Sequence, residues 1–413
     1  MKSDKVNILK RCSYCQSELK ILLNLGSLPP VNVMDRVDEA FYGYQAFPLT
    51  WAVCKECSLV QILEELSGDS VFPESYPYLS GTTRILRENF KEQCAEIQSF
   101  LGLTSENLVV DIGSNDGTLL SNYKSTSKIL GVEPTNAADV ALSQEIPTLK
   151  KFFSSQIAQQ ILVEHGKAKV ITACNVFAHI PDLSALMGGI ENLLDDNGVF
   201  VSESHYIYSL IETLQFDTIY HEHLRYYSVE FLNRLFNDFG MEIIRVKRIP
   251  THGGSIRVWS AKKGVFAPDT SVTEILDYER KSEQAGDLNL DNFVVRLLDW
   301  RQEFRNLISQ LKIENKSLAA IGAPSRASTL ISFAGLSHFD LLSVGEISGS
   351  HKIGRYMPGT SIPVVDESEI LSGKVDYLLM LSWHIAEELI PIMRKGGYKG
   401  KFIIPLPKPL IVD

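Results

Sequence analysis

Residues 220–228 read YHEHLRYYS, with His221 and His223 flanking Glu222 and tyrosines on both sides, in a chain that has nine histidines. Imidazole accepts a proton as a neutral group near physiological pH, a carboxylate can orient it, and a phenol can donate a hydrogen bond. The stretch therefore admits proton transfer, metal ligation or a satisfied polar core. Three successive side chains at 221, 222 and 223 could not readily converge on one ion, which favours acid–base work over a metal.

Four of the six cysteines are paired, Cys12 with Cys15 in CSYC and Cys54 with Cys57 in CKEC. A two-residue gap lets both thiolates of a pair face one tetrahedral ion, and two such pairs describe a closed four-cysteine zinc site better than a redox motif, which would explain only one of them. Four thiolates leave no open position, so this zinc is expected to be structural. It should clamp about the first 75 residues, with a sizeable loop or small hairpins between the knuckles. Cys94 and Cys174 are expected to be small buried hydrophobes.

The elements that must position these groups follow from the apolar rhythm. At 413 residues, 45% apolar and 22% charged, the chain can bury more than one core, and its net charge of −10 argues against a nucleic-acid partner. The beginning lacks a secretory apolar stretch and nowhere do eighteen apolar residues run together, so a cytoplasmic protein that does not engage a membrane is expected. From residue 107 strands and helices alternate: LVVDIGSNDGTLL is a strand, a glycine turn and a helix start, and KILGVEP is a second strand ending on Glu133. A weaker strand at IPTLKKFF, then AKVITACNVFAHI and GVFVSESHY, complete a parallel, doubly wound half-sheet. Between the last two, DLSALMGGIENLLDDNG is expected to be a helix ended by its glycine. The helix VEFLNRLFNDFG and the strands MEIIRVKRIP and SIRVWSAKK, joined by THGG, close the sheet as a methyltransferase does, where a dinucleotide-binding sheet would add further βα units. Residues 264–315 are expected to be helical. LAAIGAPS, LLSVGEIS, VDYLLMLS and KFIIPLP then form a second small parallel sheet.

The turn Asp111-Ile-Gly113-Ser-Asn115-Asp116-Gly117 allows close backbone approach to a ligand. It departs from a dinucleotide fingerprint, because Asn115 takes the middle glycine position and Asp116 adds negative charge where a pyrophosphate would sit. That charge is compatible with the cationic sulfonium of S-adenosylmethionine. Glu133 is placed to accept from both ribose hydroxyls, Asp111 to meet the methionine amino group or to cap a helix, and Asn175 to line the crevice or to serve as a turn residue.

In order along the chain, the paired CxxC motifs, DIGSNDGTLL, NVFAHIPD, YHEHLRYYS, HGGSIRV and KIGRYMPGTSIPV resemble the sugar-nucleotide C-methyltransferases over nearly the whole length. The resemblance implies an α/β protein with a zinc-binding domain at 1–75, a class I S-adenosylmethionine domain with a Rossmann-like seven-stranded sheet at 76–263, and a Rossmann-like sugar-nucleotide domain at 264–413. It implies methyl transfer to C3 of a nucleoside-diphosphate 4-keto-6-deoxy sugar. Such a reaction needs a base for the C3 proton and support for the enolate oxygen. His223 is the expected base, with Tyr220 and Glu222 beside it. Glu222 would fix the ring's tautomer or a sugar hydroxyl, and the Tyr220 phenol would donate to the ligand. His179 matches a further family histidine and would donate to the enolate. Alternation sends His221 elsewhere, as a structural residue. Tyr78 matches a family tyrosine, with Tyr76 one alternation away as the other choice.

On the sugar-nucleotide side, Ser325, Arg326 and Ser328 in GAPSRAST and Lys352, Arg355 and Tyr356 in KIGRYMPGT are candidates for holding phosphate and sugar. Here the chain departs from the family: Arg326 stands where lysine is common, Ala327-Ser328 replaces Gly-Asn, and an expected Asn-Pro is absent at 346–349. The nucleotide base, the sugar and the oligomeric state, a monomer included, stay open. Two other readings are an O- or N-methyltransferase of a different small molecule and a non-enzymatic zinc-dependent binding protein.

Overall fold

The stretch LVVDI, buried at every position, becomes the inner strand Leu108–Ile112 of a seven-stranded sheet. In the computed structural model, which describes residues 6–38, 45–72, 79–286 and 289–413, the sheet runs Thr148–Leu149, Lys128–Val132, Leu108–Ile112, Ala168–Cys174, Leu194–His205, Ser255–Lys262, Met241–Ile249. The first five strands are parallel, Ser255–Lys262 is antiparallel to both of its neighbours, and Met241–Ile249 therefore runs with the first five. This is the class I methyltransferase arrangement, closed by the expected helix, Val229–Asp238, and hairpin. Helix Arg84–Leu101 packs on the sheet with Phe90, Cys94 and Ile97 buried.

Two expected elements differ. After Gly117 there is only the 3-10 turn Leu120–Asn122, because Asp116 captures the Thr118 N–H and hydroxyl at 3.2 and 2.6 Å and so competes with helix formation. Helix Leu183–Leu193 stops well before Gly198, because Leu194 takes extended backbone and pairs with Ala168. The glycine lies inside the next strand.

Helices Thr270–Ala285 and Leu290–Ile313 lead to a six-stranded sheet ordered Val364–Asp366, Val344–Glu346, Leu318–Ile321, Tyr377–Met380, Lys401–Ile404, Leu410–Val412. All pairs are parallel except the last. The strand order is that of a Rossmann sheet.

Near the N-terminus, Leu19–Leu28 and Phe47–Cys54 form a hairpin between the cysteine pairs, and Val60–Ile62 joins it. The fourth strand is Arg225–Tyr226, from the YHEHLRYYS stretch itself. The N-terminal sheet also shares its core with the rest of the chain. Trp51, fully buried, packs on Tyr226 and Phe293 with centroids 5.8 and 5.3 Å apart. Truncating a ring in such a place costs about 3–5 kcal/mol. Among the described residues no helix is long and apolar enough to cross a membrane.

Candidate active site

The cofactor crevice lies at the carboxyl ends of the parallel strands. Gly113 and Gly117 have φ +69° and +77°, and a Cβ at Gly113 would come 2.1 Å from Val176, so the turn requires glycine there. Glu133 holds the turn: Oε2 accepts the Asn115 N–H at 3.0 Å, and Oε1 accepts the N–H and hydroxyl of Thr135. Asp111 is not a helix cap. Its buried carboxylate accepts from Thr172 Oγ1 at 2.6 Å, and burial pushes its pKa up to about 7. The side chains of Asn115 and Asp116 accept the Ser80 and Gly81 N–H groups, each at 2.8 Å, and so fasten the 79–82 segment to the turn.

Asn175 follows its strand with φ +55°, and its buried Oδ1 has no hydrogen-bond partner among the described residues. An unmatched buried acceptor is costly, and a donor from a bound molecule would satisfy it. The crevice thus fits a ligand carrying an ammonium or amine, as S-adenosylmethionine does.

The residues expected to transfer protons lie close together, with additions. His223 Nδ1 lies 2.7 Å from the carbonyl of Thr218. A carbonyl only accepts, so Nδ1 carries the proton and Nε2 has the lone pair. Burial, then His179, holds the imidazole pKa well below its ordinary value. The Tyr220 ring lies tilted against His223, with centroids 4.0 Å apart, and burial pushes its phenol well up, so the hydroxyl stays protonated. His179 is 5.0 Å from His223, centroid to centroid. Its Nδ1 donates to the Glu222 carbonyl and burial lowers its pKa. In the neutral ring the proton then sits on Nδ1, so donation to an enolate from Nε2 would need the protonated ring. Glu222 does not fix the tautomer of His223, because Thr218 does so. Its carboxylate accepts from Asn32 Nδ2 at 2.6 Å. His221 turns toward the N-terminal sheet, Nε2 to the Pro48 carbonyl at 2.9 Å, in the structural role expected of it. Tyr76 and Tyr78 lie outside the described residues.

Two histidines escaped the sequence reading. His205, at the carboxyl end of its strand, is 4.8 Å from His223, and His252, from THGG, is 5.7 Å from His205. Burial pushes both pKa values down, His252 to about 4. The position of His205 on the strand GVFVSESHY was the available signal, because ligands bind at carboxyl ends of parallel strands. Asn32, in an irregular loop, offered none.

The sugar-nucleotide candidates divide. Ser325 Oγ donates to Asn32 Oδ1 at 2.9 Å, which links it to Glu222. Lys352 donates to the Ala323 carbonyl at 2.6 Å; burial lowers its pKa while Glu346 and Glu222 favour its charge. Arg326 is not open to a phosphate, because its guanidinium is buried against Asp217 in a two-pronged ion pair. Ser328 is buried within helix Ser325–Ala334. Arg355 Nη1 donates to the Met34 carbonyl and the Tyr356 N–H to that of Asp35, so this loop binds the N-terminal segment.

The four paired cysteines converge, with all Sγ atoms within 4.8 Å of one another. Both knuckles make the same turn: Gln16 and Ser58 have φ near +60° and donate to the carbonyls of Cys12 and Cys54. Backbone N–H groups of Tyr14, Glu56 and Cys57 point at sulfur, as suits thiolates on a soft divalent ion. Ser13, inside the first knuckle, contacts Gln61, and Arg225 donates to its hydroxyl at 3.1 Å.

Residues 85–246 match a family described as a methyltransferase domain, and residues 250–407 one described as a C-methyltransferase C-terminal domain. The C-methyltransferase NovU of Streptomyces niveus is 30% identical over 419 aligned positions, covering 99% of this chain and 98% of that protein. Among solved structures, an S-adenosylmethionine-dependent methyltransferase of Clostridium acetobutylicum is 15% identical over 43% of this chain and 92% of its own, with a TM-score of 0.35. Magnesium protoporphyrin IX methyltransferase (ChlM) of Synechocystis PCC 6803 is 15% identical over 43% and 79%, with a TM-score of 0.33. Neither structure adds to the assignment, which rests on the full-length relative. Both the O- or N-methyltransferase reading and the non-enzymatic one yield to it: this chain belongs to the S-adenosylmethionine-dependent C-methyltransferases.

Proposed function

We propose that the chain methylates C3 of a nucleoside-diphosphate 4-keto-6-deoxy sugar, with His223 as the base. A methyl group on sulfonium is already electrophilic, so the cofactor, when bound, supplies the activated carbon. The protein must supply the nucleophile. A C–H bond becomes acidic enough beside a carbonyl, and loss of its proton to Nε2 of His223 leaves an enolate whose charge rests on the C4 oxygen. The observation that carries this reading is the bond from His223 Nδ1 to Thr218, which leaves Nε2 as the acceptor.

Tyr220, a phenol kept protonated by burial, is the donor we assign to the enolate oxygen. Asp111, Glu133 and Asn175 hold the cofactor, with the backbone from Gly113 to Gly117 against it. Ser325, Lys352, Asn32 and Glu222 face the nucleotide sugar. The four cysteines bind a structural zinc. The working units are 1–75, 76–263 and 264–413, with YHEHLRYYS lending a strand to the first.

The test is product analysis with 13C-methyl-labelled S-adenosylmethionine and a panel of nucleoside-diphosphate 4-keto-6-deoxy sugars. Label on C3 of one of them supports the reading. Label at another carbon, or no product from any ketosugar, overturns it.

A further inference from the structure

Beside the base lies an ion pair that proton transfer does not use. Asp217 has no solvent exposure and Arg326 is 7% exposed. Arg326 Nε meets Oδ2 at 2.8 Å and Nη2 meets Oδ1 at 2.7 Å. Trp383 donates its indole N–H to Oδ2 at 2.8 Å and lays its ring against the guanidinium, 5.0 Å from the centroid. The same guanidinium donates to Gln215 Oε1 at 3.1 Å and to the His252 carbonyl at 3.3 Å. One cation from helix Ser325–Ala334 of the C-terminal unit thus joins the 215–218 and 251–254 loops of the methyltransferase sheet. Gly253, at φ +90°, permits this closure, since a Cβ there would meet Gln215 Oε1 at 2.4 Å.

Taking two charges out of water is costly, and apolar residues of similar volume are often at least as stabilising. The use of such a pair here is therefore better sought in geometry. Thr218 directly follows Asp217, and its carbonyl receives the Nδ1–H of His223 and, at 3.3 Å, the Tyr226 hydroxyl. A turn of the 216–218 segment would move that carbonyl and release the ring.

We propose that Arg326, with Asp217 and Trp383, is a positioning device through which the C-terminal unit fixes the orientation and tautomer of His223. The proposal rests on the reading of His223 as base. It makes docking of the C-terminal sheet a condition for a competent base, and gives Arg326 a role other than binding phosphate.

The test uses the full-length protein labelled with 15N-histidine, and compares Asp217→Asn, Arg326→Gln, their double variant and Trp383→Phe. Wild type should show one neutral Nδ1–H tautomer at His223, and Asp217→Asn a mixture. In turnover of the ketosugar, kcat should fall about 100-fold in Asp217→Asn, the order expected of a misplaced catalytic group, while KM changes less than about twofold. The double variant should be no slower than either single one, because the two residues act as a unit. Trp383→Phe keeps a ring beside the guanidinium and removes one N–H···O bond; it should show a minor second tautomer and stay within about tenfold of wild-type kcat. It carries the tautomer test if Asp217→Asn fails to fold. An unchanged tautomer in the folded variants overturns the proposal, as does a tenfold rise in KM with unchanged kcat in Arg326→Gln. The tautomer is read without substrate, so an active His223→Ala variant would sink the base reading and leave this test standing.

Discussion

The cofactor crevice and the base are built on opposite plans. The crevice residues Asp111, Gly113, Gly117, Glu133 and Asn175 all sit at strand ends of one sheet, and bonds within that sheet and its turns hold them. His223, the proposed base, is held from outside. Arg225 and Tyr226, just after His223, complete the N-terminal sheet, and Asp217, just before it, is gripped by Arg326 and Trp383 of the C-terminal unit. On the proposed reading, donor binding is a property of one sheet, whereas proton abstraction is a property of the assembled chain. Perturbing either outer unit should silence chemistry and spare cofactor affinity.

The strongest perturbation is removal of the proposed zinc. Structural zinc contributes on the order of 10 kcal/mol to small metal-held units. Because Val60–Ile62 pairs with Arg225–Tyr226, and Ser13 touches Arg225, chelation should expose amides at 225–226 to hydrogen exchange and abolish turnover. Calorimetry should still detect S-adenosylhomocysteine binding. Protected 225–226 amides and full turnover after metal removal would separate the two units. Next, His223→Asn should lower kcat about 10²- to 10⁴-fold, the range of general-base catalysis, with S-adenosylhomocysteine affinity unchanged within about twofold. Arg225→Lys should be milder. The guanidinium fork serves the Ile180 and Pro181 carbonyls and Ser13, which an ammonium cannot satisfy together, so thermal melting should show a loss of about 1–3 kcal/mol.

The pH profile sharpens the comparison. His223 must be neutral to act, and burial holds its pKa well below the ordinary value. Activity should rise with pH through an acid limb below about 6.5 and be flat above it. A limb at or above the ordinary imidazole value would place the base in a more exposed setting. The smallest effect belongs to the crevice. Asp111 is held up to about 7 by burial, so a cation arriving beside it favours its charged form and expels a proton. S-adenosylmethionine should release a fraction of a proton at pH 7, measured by calorimetry in buffers of different ionisation enthalpy, and Asp111→Asn should release none.

What the sequence disclosed divides along the same line. Cysteine spacing, the strand rhythm and the closing hairpin are local or periodic, and the structure has the two sheets and the four-sulfur cluster where these signals put them. The glycine turn was legible, but the direction of the Asn115 and Asp116 side chains was not, because their Ser80 and Gly81 partners are 35 residues earlier. Arg326 looked like an anion-binding residue at a helix start, since nothing in GAPSRAST reveals a buried carboxylate 109 residues away. The fixing of His223 by a backbone carbonyl leaves no trace in residue type, and Asn32 lies 190 residues from the Glu222 it binds. Groups assembled from distant segments are set by packing, which a pattern of residue types does not encode.

The most direct measurement of the central claim follows hydrogen at C3 without methyl transfer. With S-adenosylhomocysteine in place and the ketosugar in deuterated water, wild-type enzyme should wash deuterium into C3, read by NMR, and His223→Asn should not. Equal exchange in the variant, or none in a wild-type enzyme that still turns over, would contradict a proton abstracted by His223.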